Sequence, residues 1–413
     1  MPTQTEMTPR AAWLLILAAS AILMITMGAR LTTGLFMSPI NTSTGLGIAS
    51  ISFALAVGQF MWGAAQPVFG AVADKWGSAK VVILGALMLA AGLALTPFVS
   101  SQWGLMFTMG FLSAAGAGAG SFSILIGATA QRLPPERRPF AAGFINAGGS
   151  FGQFVFAPLM QAIISSAGWI AAMLTMAATT LLTIPLAWPL RRNAGMKPGA
   201  APKPAEQGGM TLGQQVKAAL KDRSYLCLHA GFFTCGFHIA FLVTHLPGEV
   251  ALCNLSAGVS ATALGLIGLF NIAGSLTAGA LSTRYRMKSL LALMYGSRAV
   301  IIVIYLLAPK TPLTFYVFAA ALGFTWLATV PPTAGLVGKL FGMRYLSTLF
   351  GLTLLSHQVG GFLGAWLGGL SFVTFGDYTW MWYADIVLAL GAALVNLPIR
   401  EAHVRAPAVA AKA

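Results

Sequence analysis

The sequence predicts an all-α membrane protein, with twelve transmembrane helices in two pseudo-symmetric six-helix bundles. Three observations predict it. Only 8% of the 413 residues are charged while 57% are hydrophobic, and mean hydropathy is +0.80. Soluble domains carry roughly 25% charged residues, so water cannot be the solvent for most of this surface. The apolar residues gather into twelve stretches, each near the roughly 20 residues that cross a bilayer. Lysines and arginines then fall almost entirely in alternate loops. This pattern excludes a soluble enzyme, a nucleic-acid-binding protein and a secreted disulfide domain. The pI of 10.2 and net charge of +15 suit a membrane surface once the basic residues share one side. Cys227, Cys235 and Cys253 sit in apolar surroundings and read as small packed residues, with neither a metal site nor a disulfide expected.

The first stretch, 12–40, is too long for a signal-peptide core and lacks a convincing cleavage site, so it counts as a span. The first half continues with 48–71, 80–98, 103–128, 138–165 and 168–189. The second half holds 225–248, 258–281, 288–307, 312–336, 345–372 and 379–398. With both termini inside, inner segments carry Arg10, Lys75, Lys80, Arg132, Arg137 and Arg138. The central loop adds Arg191, Arg192, Lys197, Lys203, Lys217, Lys221 and Arg223. Later inner segments hold Arg284, Arg286, Lys288, Lys339, Arg344, Arg400, Arg405 and Lys412. Of the 24 basic residues only Lys310 falls in an outer loop, with Arg30 and Arg298 inside spans. A shift by one span would destroy that bias, which predicts an even span count and cytoplasmic termini in a bacterial inner membrane.

Three regions follow: an N-terminal bundle over 1–190, a cytoplasmic linker over 191–223, and a C-terminal bundle over 224–413. The linker is rich in Pro, Gly and Ala up to Gly209 and reads as flexible. From Thr211 to Asp222, Leu212, Val216, Ala219 and Leu220 recur at helical spacing, predicting a short amphipathic helix on the inner surface.

The halves resemble each other, as in a duplicated transporter. Gly70-Ala-Val-Ala-Asp74-Lys75-Trp76-Gly77-Ser-Ala-Lys80 follows span two, and Gly279-Ala-Leu-Ser-Thr283-Arg284-Tyr285-Arg286-Met-Lys288 follows span eight. Gly143 and Gly152 of span five fall opposite Gly351 and Gly360 of span eleven at nearly the same spacing. The first segment resembles the G-x-x-x-D-[RK]-x-G-x-x-[RK] signature of the major facilitator superfamily. Gly70 permits close helix approach, Gly77 a tight turn, and Asp74 can cap a helix end or pair with an arginine. Together with Lys75 and Lys80 they form a candidate conformational latch, with an acid at its centre only in the first copy because Thr283 replaces it in the second.

Over nearly the whole chain the sequence is similar to the bacterial monocarboxylate-porter-like branch of that superfamily. The resemblance is carried by Gly28-Ala-Arg30-Leu-Thr-Thr-Gly34-Leu-Phe36-Met-Ser-Pro39, by the run Cys235 to Pro247 with His238 and His245, and by Ser356-His357-Gln358 to Gly369. It implies the major facilitator fold and a central cavity lined by span one. One departure bears on specificity. The branch places an Asp or Asn and, four residues later, an Arg in span eight; here stand Asn271 and Ser275, so the substrate arginine is absent.

Ionisable residues inside a membrane are costly and mark candidate function. Arg30 has no acid at an obvious position to neutralise it and reads as a carboxylate receptor, the alternative being a structural role among helix carbonyls at the outer mouth. Arg298 and Asp385, on peripheral spans, are expected to form a structural ion pair. His238 and His357 are the proton-coupling candidates. His245 and Glu249 suit an outer gate or ordinary interfacial polarity. Asn146, Gln153, Asn271, His357 and Gln358 join Arg30 as candidate substrate-binding residues, though helix contacts use such amides equally.

No Walker motif, metal cluster or catalytic constellation occurs, so no cofactor, no metal and no enzyme activity are expected; Gly116-Ala-Gly118-Ala-Gly120 lacks the βαβ context of a dinucleotide site. The leading expectation is a monomeric secondary transporter of a small organic anion by alternating access, coupled to protons. Alternatives are a proton-driven exporter of amphipathic compounds and an organic-anion exchanger. A channel and a membrane enzyme lie further off.

Overall fold

The computed structural model describes residues 7–191 and 210–401. The linker from 192 to 209, with Arg192, Lys197 and Lys203, and the basic Arg405 and Lys412 lie outside the described residues. Among those described, ten helical stretches are long and apolar enough to cross a membrane.

The helices are α1 (Pro9–Leu31), α2 (Ile48–Trp76), α3 (Ser78–Leu95), α4 (Gln102–Ala130), α5 (Arg138–Leu181), α6 (Leu212–Ala219), α7 (Arg223–Leu252), α8 (Ala257–Leu281), α9 (Met287–Leu307), α10 (Pro312–Phe341), α11 (Leu346–Phe375) and α12 (Thr379–Asn396). Spans five and six, marked separately in the sequence, form the one element α5. Its arms meet at Gly168, where φ is 86° and ψ 164°, a conformation that glycine adopts without a Cβ clash. The helix expected over Thr211–Asp222 forms as α6. Its capping box has the Thr211 hydroxyl accepting from the Gln214 N–H and the Gln214 side chain accepting from the Thr211 N–H.

Three expected spans are interrupted, each with a visible cause or consequence. Span one ends as an α-helix at Leu31, continues as a 3-10 turn over Thr33–Phe36, and resumes over Met37–Thr44. That places Arg30 in the last turn of α1, where the negative end of the helix dipole favours a cation. α4 winds as a π-helix over Met106–Ser113 and breaks at Gly120. α10 loses its helix between Thr325 and Val330, just ahead of Pro331 and Pro332. Proline removes an N–H and disfavours helix in the residue before it, so the break falls where the sequence puts the two rings.

The packing repeats between halves. α1 lies on α5 as α7 lies on α11, α2 on α4 as α8 on α10, and α3 on α5 as α9 on α12. The most extensive contacts between halves are α2 with α11 and α5 with α8. Both crossings need glycine. A Cβ on Gly143 of α5 would come 2.7 Å from the Ser275 carbonyl oxygen and 3.1 Å from Gly279 Cα on α8. A Cβ on Gly351 of α11 would come 2.9 Å from the Pro67 nitrogen on α2. Close backbones of this kind are how apolar helices gain packing where the surrounding lipid is as apolar as they are.

Candidate functional site

Arg30 stands between two spaces. On the side away from the basic face, a cavity opens between α1, α2, α3, α4 and α7. Its lining includes Arg30, Thr33, Gln59 and Thr244. On the other side, a smaller void lies between the halves and is bounded by Met27, Trp62, Phe122, Leu327, Leu354 and His357 among others. Arg30 borders both.

No acid pairs with Arg30 among the described residues. Its Nη2 donates instead to the amide oxygen of Gln59 on α2 and, at 3.3 Å, to that of Gln358 on α11. The guanidinium carbon lies 4.1 Å from the centre of the Trp62 ring, a cation–π contact. All these partners are neutral. They engage Nη2 and one face of the guanidinium without cancelling its charge.

The network also assigns a proton. Gln358 turns its oxygen to Arg30, so its Nε2 faces His357 Nδ1 and donates to it at 2.5 Å. A neutral His357 then carries its hydrogen on Nε2. That Nε2 and the Trp62 Nε1 are both buried without a hydrogen-bond partner, on side chains only 4% and 1% exposed. Both residues line the inner void. A cation and two unspent N–H donors from both halves thus surround one space. Gln59 and Trp62 were not singled out in the sequence. The signal was there: two polar-capable residues one turn apart in the otherwise apolar run 53–65 of α2.

The other candidate amides lie elsewhere. Asn146 on α5 donates to Ser275 Oγ and to the Leu327 carbonyl, both at 2.7 Å. Asn271 on α8 donates to Ser150 Oγ at 2.5 Å and accepts from the Leu327 N–H at 2.9 Å. Gln153 reaches the Leu264 carbonyl at 3.5 Å. These three tie α5 to α8 and to the broken turn of α10, away from Arg30.

Arg298 and Asp385 do not pair with each other, which corrects the expected ion pair. Arg298 is fully buried and donates to the carbonyls of Thr325 and Trp326 and, at 3.4 Å, to the Cys235 sulfur. Those carbonyls lie where α10 breaks, and they hold the guanidinium in place of a carboxylate. Asp385 meets His238 Nδ1 instead, in a pair 1% and 0% exposed. One carboxylate oxygen and His238 Nε2 have no partner. The other histidine and acid placed near the mouth also have partners. His245 Nε2 meets the Ala365 carbonyl at 2.7 Å, and Glu249 accepts from the Tyr305 hydroxyl at 2.8 Å.

At the basic face the loop signature joins the halves. Gly77, at φ 100°, ends α2. Asp74, in the last turn before it, accepts from the Thr348 N–H at 3.0 Å, the Thr348 hydroxyl at 2.8 Å and Gln131 Nε2 at 3.0 Å. Thr348 is in the first turn of α11, whose own N-cap residue, Tyr345, makes no side-chain cap bond. The carboxylate therefore caps a helix of the other half, and the positive end of that helix favours its charge. A Cβ on Gly70 would lie 2.8 Å from the Ser347 carbonyl oxygen, so the approach that allows this cap depends on glycine. Lys75 lies over the Trp76 ring at 4.8 Å and Lys80 is exposed; neither meets Asp74.

Residues 15–365 match the Major Facilitator Superfamily. The chain is 24% identical over 395 residues to the oxalate:formate antiporter of Oxalobacter formigenes, covering 94% of this chain and 91% of that protein. It is 25% identical over 397 residues to monocarboxylate transporter 13 of Bos taurus, covering 94% and 89%. With an MFS-type transporter of Bacillus subtilis, YcxA, it shares 24% identity over 380 residues.

Replacing Asp74 with Ala should loosen the basic face. Losing a capping aspartate costs about 0.5–2 kcal/mol, or roughly 2- to 30-fold in the equilibrium between closed and open forms. Spin labels at the exposed positions 76 and 344, in a protein whose native cysteines have been replaced, should gain a longer-distance population by pulsed electron resonance. An unchanged distance distribution would show that this contact does not hold the halves together.

Proposed function

The chain belongs to the major facilitator superfamily, and from that premise we propose that it is a secondary transporter of a small organic anion, a carboxylate, by alternating access. The observation that carries this reading is the space beside Arg30: a guanidinium with no acid, flanked by the unpartnered Trp62 and His357 nitrogens. Relatives named for oxalate, formate and monocarboxylates support an anion. Counting Ile48–Trp76 and the two arms of α5 with the other helices brings the crossings to twelve, with the basic face and both termini toward the cytoplasm of a bacterial inner membrane.

In this reading the structure is the form closed at the cytoplasm, with Arg30 reached from outside. An entering carboxylate takes the guanidinium from the amide oxygens of Gln59 and Gln358 by a two-point contact. Trp62 and His357 are within the same space to donate to its oxygens. Charge cancellation is what permits the next step. The void beyond Arg30 is largely apolar, and closing such walls around an unneutralised cation costs several kcal/mol. The loaded site can close above; the capped contact at Asp74 then opens below. A ligand can shift this equilibrium only by its differential affinity for the two forms. Asn146, Gln153 and Asn271, which sit on the moving α5–α8 contact, contribute to the substrate path once that contact opens.

Proton symport is the proposed energy source. The buried His238–Asp385 pair is the proposed carrier, since it joins a base and an acid in a site too dry to hold unmatched charge. His357 is the second candidate, from its place beside Arg30. Anion exchange is the competing arrangement, because the bound anion alone could neutralise Arg30 in both directions.

Arg30→Gln should weaken carboxylate binding by about 2–4 kcal/mol, roughly 30- to 1000-fold. Arg30→Lys should restore only part, since an ammonium keeps the charge but not the planar fork. Arg298→Gln should lower folded yield and leave the affinity of surviving protein nearly unchanged. The measurement is equilibrium binding of a carboxylate to each purified variant. Full affinity in Arg30→Gln would refute the assignment. For coupling, Asp385→Asn combined with His238→Gln should abolish accumulation driven by an imposed pH difference in proteoliposomes while sparing counterflow. If pH-driven accumulation persists, the proton travels by another group.

A further inference from the structure

Two segments that face each other across the α5–α8 contact share one spacing, G-x-x-N-x-x-G-S. On α5 it is Gly143-Phe-Ile-Asn146-Ala-Gly-Gly149-Ser150, and on α8 it is Gly268-Leu-Phe-Asn271-Ile-Ala-Gly274-Ser275. The fold sets them against each other reciprocally. A Cβ on Gly143 would come 2.7 Å from the Ser275 carbonyl oxygen, and one on Gly268 3.1 Å from that of Ser150. At this approach each asparagine reaches across to the other helix. Asn146 Nδ2 donates to Ser275 Oγ at 2.7 Å, and Asn271 Nδ2 donates to Ser150 Oγ at 2.5 Å. None of the four residues is more than 1% exposed.

Each asparagine also has a serine four residues on in its own helix. Residues at that spacing are neighbours on one face, with Cβ atoms about 5–6 Å apart. Ser150 already uses the spacing, since its hydroxyl donates to the Asn146 carbonyl at 3.3 Å. Resting on the alternating-access reading, we infer that the two segments form a hydrogen-bond exchange. Crossed pairs, Asn146–Ser275 and Asn271–Ser150, hold while the halves meet here. In-helix pairs, Asn146–Ser150 and Asn271–Ser275, replace them when the halves part. Two bonds break and two form, so parting leaves neither amide donor without an acceptor.

One bond is not returned. Asn146 Nδ2 also donates to the Leu327 carbonyl at 2.7 Å. In a continuous helix that oxygen would accept from residue 331, but Pro331 has no N–H. The other half thus supplies a donor that α10 lacks. Asn271 accepts from the Leu327 N–H within its own half, a bond that parting does not touch. Of the three bonds that these asparagines make between halves, only the one to Leu327 resists opening. The exchange keeps the register of the contact specific without making it hard to separate.

Spin labels at the exposed positions 137 and 284, beside the inner ends of α5 and α8, read this contact by pulsed electron resonance in the full-length protein with its native cysteines replaced. Ser150→Ala and Ser275→Ala each remove one bond from either form and should leave the ratio of long to short distances unchanged. Asn146→Ala should raise that ratio roughly 2- to 13-fold, through Leu327. In the Asn146→Ala background the serines should act in opposite directions. Ser150→Ala removes only the crossed Asn271 bond and should raise the ratio further. Ser275→Ala removes only the in-helix Asn271 bond and should lower it by a similar factor. In an Asn271→Ala background both signs should reverse, which a folding defect cannot imitate. If Ser275→Ala fails to lower the ratio in the Asn146→Ala protein, water or other groups serve the parted form; the exchange is then overturned and alternating access stands. If no variant shows a long distance, with or without added butanoate, the two-form reading fails and the inference falls with it.

Discussion

A charge inside an apolar bundle must be stabilised by something, and the choice of partner decides what the charge can do. Arg298 and Arg30 show the two solutions. Arg298 is fully buried and bonded to backbone carbonyls where α10 breaks and to the Cys235 sulfur. Arg30 has two side-chain amides, an aromatic face and the end of a helix dipole, and it borders open space on two sides. Its partners are neutral and can be exchanged for something better. The difference between a structural cation and a receptor lies in that exchangeability, since an anion can compete with an amide oxygen but not with a packed helix end.

The same dependence runs through the contacts between halves. Gln59 and Gln358 reach Arg30 from α2 and α11, the pair that Asp74 also joins at the basic face. One crossing contact therefore carries both Arg30 and Asp74. The other, α5 with α8, is held by Asn146 and Asn271 meeting at the broken turn of α10, where Arg298 and Cys235 also converge. Buried amides suit such an interface: their N–H donors are bonded in this form and can find other partners in another without stranding a charge. That suits a protein proposed to rock between two forms, because its interfaces must be specific yet separable.

Much of this architecture was legible in the sequence, for physical reasons. Scarcity of charge sets the solvent, and the run lengths set the helices. The packing of α1 on α5 and of α7 on α11 is written in the paired glycines Gly152 and Gly360, which meet the backbones of Met24 and Phe233. What escaped were features decided by partners distant in sequence. Nothing local tells Asp385 to meet His238 rather than Arg298, whose partners are carbonyls at the break before Pro331. The depth of Arg30 could be counted along span one, but its company of Gln59 and Trp62 depends on how α2 is rotated. The continuous spans expected at 12–40, 103–128 and 312–336 hid three interruptions, because hydropathy averages over backbone geometry.

The claim at the centre is that the sign of the charge on the ligand, not merely its size, governs binding. Calorimetric titration of the purified protein with butanoate and with butylammonium compares two ligands of similar body and opposite charge. The account predicts saturable binding of butanoate and none of butylammonium at the same concentrations. Binding of butylammonium as tight as that of butanoate would contradict it.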